Sequence, residues 1–163
     1  MIEIIPALPS HLPEILDIVN HNILHSTALY DYHIKPQEYI DTWFADKQSA
    51  GWPVIVAVDD NKVVGYGTYG PFRYKDGYKF TVEHSVYVAD GYSGKGMGGQ
   101  LLKELIHLAK VGGYHTIIGG IDAGNAGSIA FHKKYGFTEA GLLKETGFKF
   151  GRWLDLLFMQ KML

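Results

Sequence analysis

The chain has 163 residues, a formal charge of -2 and no cysteine. That length fits a single domain, residues 1–163, able to bury about 70% of the surface its unfolded chain exposes. The missing cysteines exclude disulfides, thiolate metal sites and a cysteine nucleophile, and the near-neutral charge of the whole chain points to no polyanion-binding surface, so nucleic acid is not an expected partner.

The opening M-I-E-I-I-P-A-L has no basic segment before a long apolar run, and no apolar stretch nears the ~20 residues of a membrane span, so a cytoplasmic protein away from the membrane is expected. Ile2 to Ile5 reads as a short strand ended by Pro6. Ser10 is expected to cap a helix over about Leu12 to Ile23, in which Leu12, Ile15, Leu16, Ile18 and Val19 form an apolar stripe. The segment His25 to Ile34 reads either as a surface loop or as one wall of a substrate pocket, because its side chains both stack and hydrogen-bond. Pro36 starts a second helix that buries Tyr39, Ile40, Trp43 and Phe44 and ends before Gly51. From Trp52 the apolar period changes from helical to strand. Trp52–Val58 and Lys62–Tyr69 are joined by D-D-N-K as a hairpin, Pro71–Gly77 is a loop, and Lys79–Val88 makes a third strand.

Val88 then runs into a glycine-dense turn (Gly91, Gly94, Gly96, Gly98, Gly99) and an amphipathic helix from about Gln100, with Leu101, Leu102, Leu105, Leu108 and Ala109 on one face and Gly112–Gly113 as its stop. Strand, glycine loop and helix N-terminus together make an anion site, suited to phosphate or pyrophosphate. Tyr114–Ile121 is a further strand. The loop D-A-G-N-A-G-S leads to a short helix around Ser128–Tyr135, and Phe137 onward and Trp153–Met162 read as closing strands with a turn near Gly147–Gly151. With no repeat and no linker, the fold class is a single mixed α/β domain.

Three phosphate-loop families compete for the glycine turn. A P-loop needs Ser or Thr after Gly-Lys, and here Gly94-Lys95 precedes Gly96. The dinucleotide fingerprint is met literally by Gly94, Gly96 and Gly99, with Asp122 downstream, but the strand before it closes an antiparallel meander instead of opening a βαβ unit. It stays as a minor alternative. The third pattern is Gln or Arg, two residues, Gly, one residue, then Gly or Ala. Ser93-Gly94-Lys95-Gly96-Met97-Gly98 matches both small residues and departs at Ser93.

This last pattern resembles the coenzyme A motif of the GNAT acetyltransferases. E-H-S-V-Y-V, N-A-G-S-I-A-F-H-K-K-Y-G-F and G-F-K-F-G-R-W-L-D-L-L-F-M-Q extend the likeness to the phosphinothricin and methionine sulfoximine N-acetyltransferases, from the first helix to Gln160. The resemblance implies a mixed, mostly antiparallel central sheet flanked by helices. It implies acetyl-CoA as co-substrate, no metal, and N-acetylation of the α-amino group of a small amino acid such as phosphinothricin, methionine sulfoximine or methionine sulfone. It also implies a homodimer. An acetyltransferase of polyamine, aminoglycoside or protein amines, and a coenzyme A binding or sensing module without turnover, stay as alternatives.

Residue by residue, the likeness assigns Glu83 as the base that removes the ammonium proton, and burial in an apolar strand raises a carboxylate's pKa toward useful values. The same residue also fits a solvated carboxylate on an edge strand. Tyr135 is the candidate acid for the leaving thiolate, and His132 matches a histidine given a catalytic role in the phosphinothricin enzymes; Tyr135 also reads as an ordinary helix-to-strand corner and His132 as a surface or packing residue. Val86, Tyr87 and Val88 would pair their backbone with the pantetheine arm. Gly94, Lys95, Gly96, Met97, Gly98 and Gly99 would hold the pyrophosphate, and Asn125 the coenzyme A arm or the following helix as its cap. Arg73, Tyr74 and Lys75, with Glu83, His84 and Ser85, would bind the acceptor, Arg73 because guanidinium grips a carboxylate through two hydrogen bonds. Strand alternation sends Glu83, Ser85 and Tyr87 to one face and His84, Val86 and Val88 to the other, so Glu83 and His84 are not expected to serve one ligand without a bulge. His21 and His25 are four apart but lack a third ligand, which leaves no metal pattern.

Overall fold

A seven-stranded sheet of order β1-β2-β3-β4-β5-β7-β6 runs through the computed structural model, which describes residues 1–163. In chain order the elements are β1 (Glu3–Pro6), α1 (Leu12–His25), α2 (Gln37–Ala50), β2 (Val54–Asp59), β3 (Lys62–Pro71), β4 (Thr81–Val88), α3 (Met97–Val111), β5 (Thr116–Asp122), α4 (Ala126–Lys134), β6 (Thr138–Lys149) and β7 (Arg152–Met162). Every pairing is antiparallel except β4 with β5. The mixed, mostly antiparallel α/β sheet is therefore as expected.

Local chemistry explains most boundaries. Asp60 and Asn61 both take positive φ, +46° and +63°, which is the two-residue turn whose twist matches a hairpin. Phe150 and Gly151 repeat this between β6 and β7, at φ of +53° and +73°. Gly51 ends α2 in the left-handed region at φ +76°. Four expectations shift: Tyr39, expected in the buried stripe of α2, is 44% exposed. Ser10 does not cap α1, because Pro9–His11 form a short 3-10 turn and His11 holds the cap position without a side-chain bond. Pro36 is the residue before α2 instead of its first turn. The third helix begins at Met97, three residues before Gln100, since the tertiary packing of buried Met97 outweighs the poor helix propensity of Gly98 and Gly99.

Each face of the sheet carries its own core. On one side α3 lays Leu101, Leu102 and Leu105 over Ile55, Val64, Val82 and Ile117. A Cβ on Gly67 would stand 3.0 Å from Leu105 Cδ1, so this helix reaches the sheet because the strand beneath is bare there. On the other side α1 and α2 bury Ile15, Ile18, Ile40 and Phe44 against Val54, Val56, Val63 and Tyr66. The segment between α1 and α2 has no regular structure, and its Leu29 borders cavities that Ser85 and Tyr87 of β4 also line.

Candidate active site

The site comes from a parting of two strands. β4 pairs with β3 along its whole length, from Pro71↔Val82 to Gly65↔Val88, without a bulge. It pairs with β5 only through Thr81, Val82 and Glu83, the last opposite Ile118. β5 meanwhile stays with β7 as far as Asp122. Beyond Glu83 the two strands diverge, and Ser85 to Val88 have no strand partner on that side. A cleft of about 1150 Å³ opens in the gap and takes its walls from both faces of the sheet. Alternation along β4 is as expected, yet Glu83 and His84 line the same cleft. It is the splay, not a bulge, that brings the two faces together.

On the α3 side the cleft is built for an anion. Gly94 and Gly96 hold φ of +77° and +88°, a region that side chains rarely enter. They turn the chain so that α3 begins against the cleft. The first intrahelical bond into this turn is Gln100 N to Gly96 O at 3.2 Å, so the amides of Met97, Gly98 and Gly99 stay free and carry the positive end of the helix dipole. Gly99 has a second reason to be glycine, since an added Cβ would overlap the Tyr135 hydroxyl. Tyr135 thus stands against the start of α3. Asn125 caps α4, its Oδ1 accepting from Ser128 N at 3.0 Å, and also lines the cleft. Lys95 stays outside, its ammonium 4.8 Å from the Tyr92 ring centroid.

On the opposite face the cleft narrows around a carboxylate. Glu83 is half-buried, and burial raises its pKa while the nearby Arg73 cation opposes the shift. A Cβ on Gly120 would meet Leu156, Phe158 and the Glu83 carboxylate, so these groups share one side. Phe72 packs edge-on against Phe158 at 5.8 Å, and the Arg73 guanidinium lies 5.2 Å from the Phe72 ring centroid. Thr27, Ala28, Leu29 and Tyr30 close this end, which makes the segment after α1 a pocket wall. Tyr87 and Ser85 interact through their side chains, and burial pushes the Tyr87 phenol up to about 12. Tyr74, 92% exposed, and Lys75 stand outside the cleft.

His84 and His132 meet beneath the splay with Nε2 atoms 3.2 Å apart. Their ring centroids are 5.2 Å apart and the planes differ by 26°, so the rings meet nearly edge to edge. His132 Nδ1 lies 2.7 Å from the Ser128 carbonyl, which only accepts, so Nδ1 carries the proton. Its Nε2 is then an acceptor and His84 Nε2 the donor, leaving His84 Nδ1 buried without a partner. Burial drives the His84 pKa down to about 3 and lowers that of His132 as well, so the pair is neutral at pH 7.

The structure gathers Arg73, Glu83, His84, Ser85, the Val86–Val88 edge, Gly94, Gly96 to Gly99, Asn125, His132 and Tyr135 around one cleft and leaves out Tyr74, Lys75 and Lys95. Sequence reasoning did not find Phe72, Leu156 and Phe158, although the alternation of W-L-D-L-L-F puts the last two on one face of β7. The histidine pair spans 48 positions and carries no local signal.

Comparison with known proteins agrees with this geometry. Residues 9–158 match the family model described as Acetyltransferase (GNAT) domain. The chain is 42% identical over 146 residues to the L-methionine sulfoximine/L-methionine sulfone acetyltransferase of Salmonella typhimurium, covering 90% of this chain and 85% of the relative. Among solved structures, the phosphinothricin acetyltransferase of Sinorhizobium meliloti in complex with acetyl-CoA superposes with a TM-score of 0.96 at 35% identity, over 99% of this chain and 88% of the other. A ribosomal-protein-alanine N-acetyltransferase from Brucella melitensis gives 0.97 at 45%, over 99% of both chains.

Proposed function

The chain belongs to the GNAT acetyltransferases and is an N-acetyltransferase, and from that premise we propose that it moves the acetyl group of acetyl-CoA onto the α-amino group of a small amino acid of the methionine sulfoximine, methionine sulfone or phosphinothricin type. The observation that carries the reading is the parting of β4 and β5 at Glu83. It sets a half-buried carboxylate at the vertex of an opening, with a free helix N-terminus on the other side of the sheet.

The residues present fit acetyl-CoA. The free amides of Met97, Gly98 and Gly99 face the cleft and favour a diphosphate, and the unpaired edge of Val86, Tyr87 and Val88 offers backbone groups to an extended amide-bearing arm. The co-substrate supplies an acetyl group activated as a thioester. The acceptor enters on the Glu83 face, its carboxylate held by Arg73 and its side chain among Phe72, Tyr30 and Phe158.

An α-amino group has a pKa of about 8 in peptides and arrives mostly protonated. Glu83 takes that proton, directly or through a water. The amine nitrogen then bonds to the acetyl carbon while an amide N–H on the open edge of β4 steadies the charge gathering on the carbonyl oxygen, the carbon–sulfur bond breaks with its electron pair going to sulfur, and the nitrogen's second proton passes to solvent or to the departing thiolate. A thiol of pKa about 8.5 leaves readily as thiolate near neutral pH. A proton returned by Tyr135 therefore contributes less than the one Glu83 removes, and neutral His132, its Nδ1 proton held by the Ser128 carbonyl, has none free to return.

The test is thiol release from acetyl-CoA with methionine sulfone, methionine sulfoximine, phosphinothricin, an alanine-initiated peptide and a polyamine, using wild type and Glu83→Gln. The amino-acid analogues are expected to be the best substrates, and Glu83→Gln to lose about 10²–10⁴ in kcat with little change in the acetyl-CoA KM. Preference for the peptide would move the acceptor class to protein N-termini, and unchanged turnover in Glu83→Gln between pH 6 and 9 would remove Glu83 as the base.

We also infer a homodimer. β6 is one of the two edge strands of the sheet, and exposed Leu142, Leu143, Phe148, Phe150 and Trp153 lie on its hairpin with β7. Light scattering of wild type and Trp153→Glu checks this, the substitution being expected to halve the mass.

A further inference from the structure

From Thr27 to Lys35 no backbone group of the acceptor-side wall bonds to another backbone group. A segment without a ladder must be held by side chains: Asn20 ties Lys35, Asp122 ties Thr27, and the β6–β7 hairpin, far away in sequence, ties Leu29 and Tyr32. Lys149, at the last position of β6, is only 3% exposed. Its ammonium donates to Ser26 O at 2.6 Å, Leu29 O at 2.5 Å and Asn22 O at 3.4 Å. An ammonium has three donors, and here three carbonyls converge on them. Two of these carbonyls belong to the end of α1 and its first following residue, where a cation is favoured by unpaired carbonyls and the helix dipole. The third fixes Leu29.

Two neighbours on the same strand reinforce this strap. Phe148 offers its carbonyl to the Tyr32 hydroxyl. Gly147 lies under Tyr30, so close that a Cβ there would stand 2.6 Å from the ring. From the far side, Thr27 Oγ1 donates to Asp122 Oδ2 at 2.6 Å. Leu29, with Ser85 and Tyr87, is also shared between the main cleft and a second cavity of about 130 Å³ bounded by Tyr39, Trp43 and Tyr66. The wall that Lys149 fixes thus partitions the space in which an acceptor side chain is sized.

We propose that Lys149, assisted by Gly147, is a positioning residue for the acceptor: it straps the Thr27–Tyr30 wall to the β6–β7 hairpin and thereby sets acceptor affinity without touching acetyl-CoA. This rests on the acceptor entering on the Glu83 face, as proposed above.

Steady-state kinetics of Lys149→Met, Gly147→Ala and Lys149→Cys tests it, with Arg73→Ala as a control. The chain has no other cysteine, so Lys149→Cys can be alkylated in denaturant with 2-bromoethylamine and refolded, which rebuilds a lysine-like ammonium at that one place. Lys149→Met and Gly147→Ala are expected to raise the acceptor KM about tenfold or more, with the acetyl-CoA KM within about twofold of wild type. Aminoethylated Lys149→Cys is expected to return toward wild type while the unalkylated form does not. An unchanged acceptor KM in Gly147→Ala, equal rises in both KM values, or no recovery on aminoethylation overturns the proposal. Should Lys149→Met fail to fold, Gly147→Ala and the alkylated protein decide. If Arg73→Ala also leaves the acceptor KM unchanged, it is the acceptor's placement that fails and not the strap alone.

Discussion

The neutral histidine pair makes stability depend on pH in a way that can be worked out. Folded His84 has its pKa driven from 6.5 down to about 3 by burial and by the adjacent His132. Below pH 6.5 the unfolded chain takes up a proton at this residue and the folded chain does not. The stability associated with neutral His84 is therefore full above pH 6.5 and is lost as pH falls from 6.5 toward 3. At pH 5 the unfolded state gains roughly 1.5 units of proton binding free energy at 1.36 kcal/mol each, or about 2 kcal/mol, against almost nothing at pH 7.5. His84→Gln places an amide donor close to the position of Nε2 and removes the titration. Urea unfolding of wild type and His84→Gln at pH 7.5 and pH 5 measures the difference directly, since other titrating groups are common to both proteins. Wild type is expected to lose about 2 kcal/mol more than the variant on going to pH 5. Parallel losses would refute the reasoning. Nitrogen-15 spectra of the imidazoles give a second reading, with His132 protonated on Nδ1 and His84 on Nε2 at pH 7.5, and His84 still neutral at pH 5.

Gly99→Ala drives a methyl into the Tyr135 hydroxyl at the start of α3. It is expected to lower stability by about 1–3 kcal/mol and to raise the acetyl-CoA KM, and Tyr135→Ala in the same chain should recover most of the stability in a double-mutant cycle. Tyr135→Phe and His132→Asn are each expected to reduce kcat less than tenfold, well short of Glu83→Gln, because the leaving thiolate needs little help; a loss as large as that of Glu83→Gln in either would make it the dominant proton donor. Leu105 is fully buried between α3 and β3, and Leu105→Ala should cost about 2–5 kcal/mol in chemical denaturation while KM for both substrates in the surviving folded protein stays near wild type.

The acidic limb of the rate profile follows from Glu83. Its raised pKa means that kcat/KM falls as pH drops through a value above the ordinary carboxylate range, and Glu83→Gln should flatten that limb.

Local patterns in the sequence determined most of the elements. Asn61 beside Asp60 specifies a hairpin turn, Gly51 a helix stop, and the leucines from Leu101 to Leu105 one buried helix face, each through chemistry within a few residues. The glycine turn before α3 announced an anion site for the same reason, since positive φ and free amides are local properties of Gly94, Gly96 and the residues after them. Three things were decided only by tertiary structure. Glu83 and His84 share a cleft despite alternation, because β5 is held by β7 while β4 is held by β3, and the sheet tears between them. His84 meets His132 across 48 positions. Lys149 reaches back 120 positions to Leu29 and 123 to Ser26, and its burial among carbonyls gives meaning to a lysine that in sequence is merely part of a hairpin. Backbone conformation and helix capping are set over a few residues, whereas strand parting, paired imidazoles and a strapped loop depend on which distant elements compete for the same neighbour.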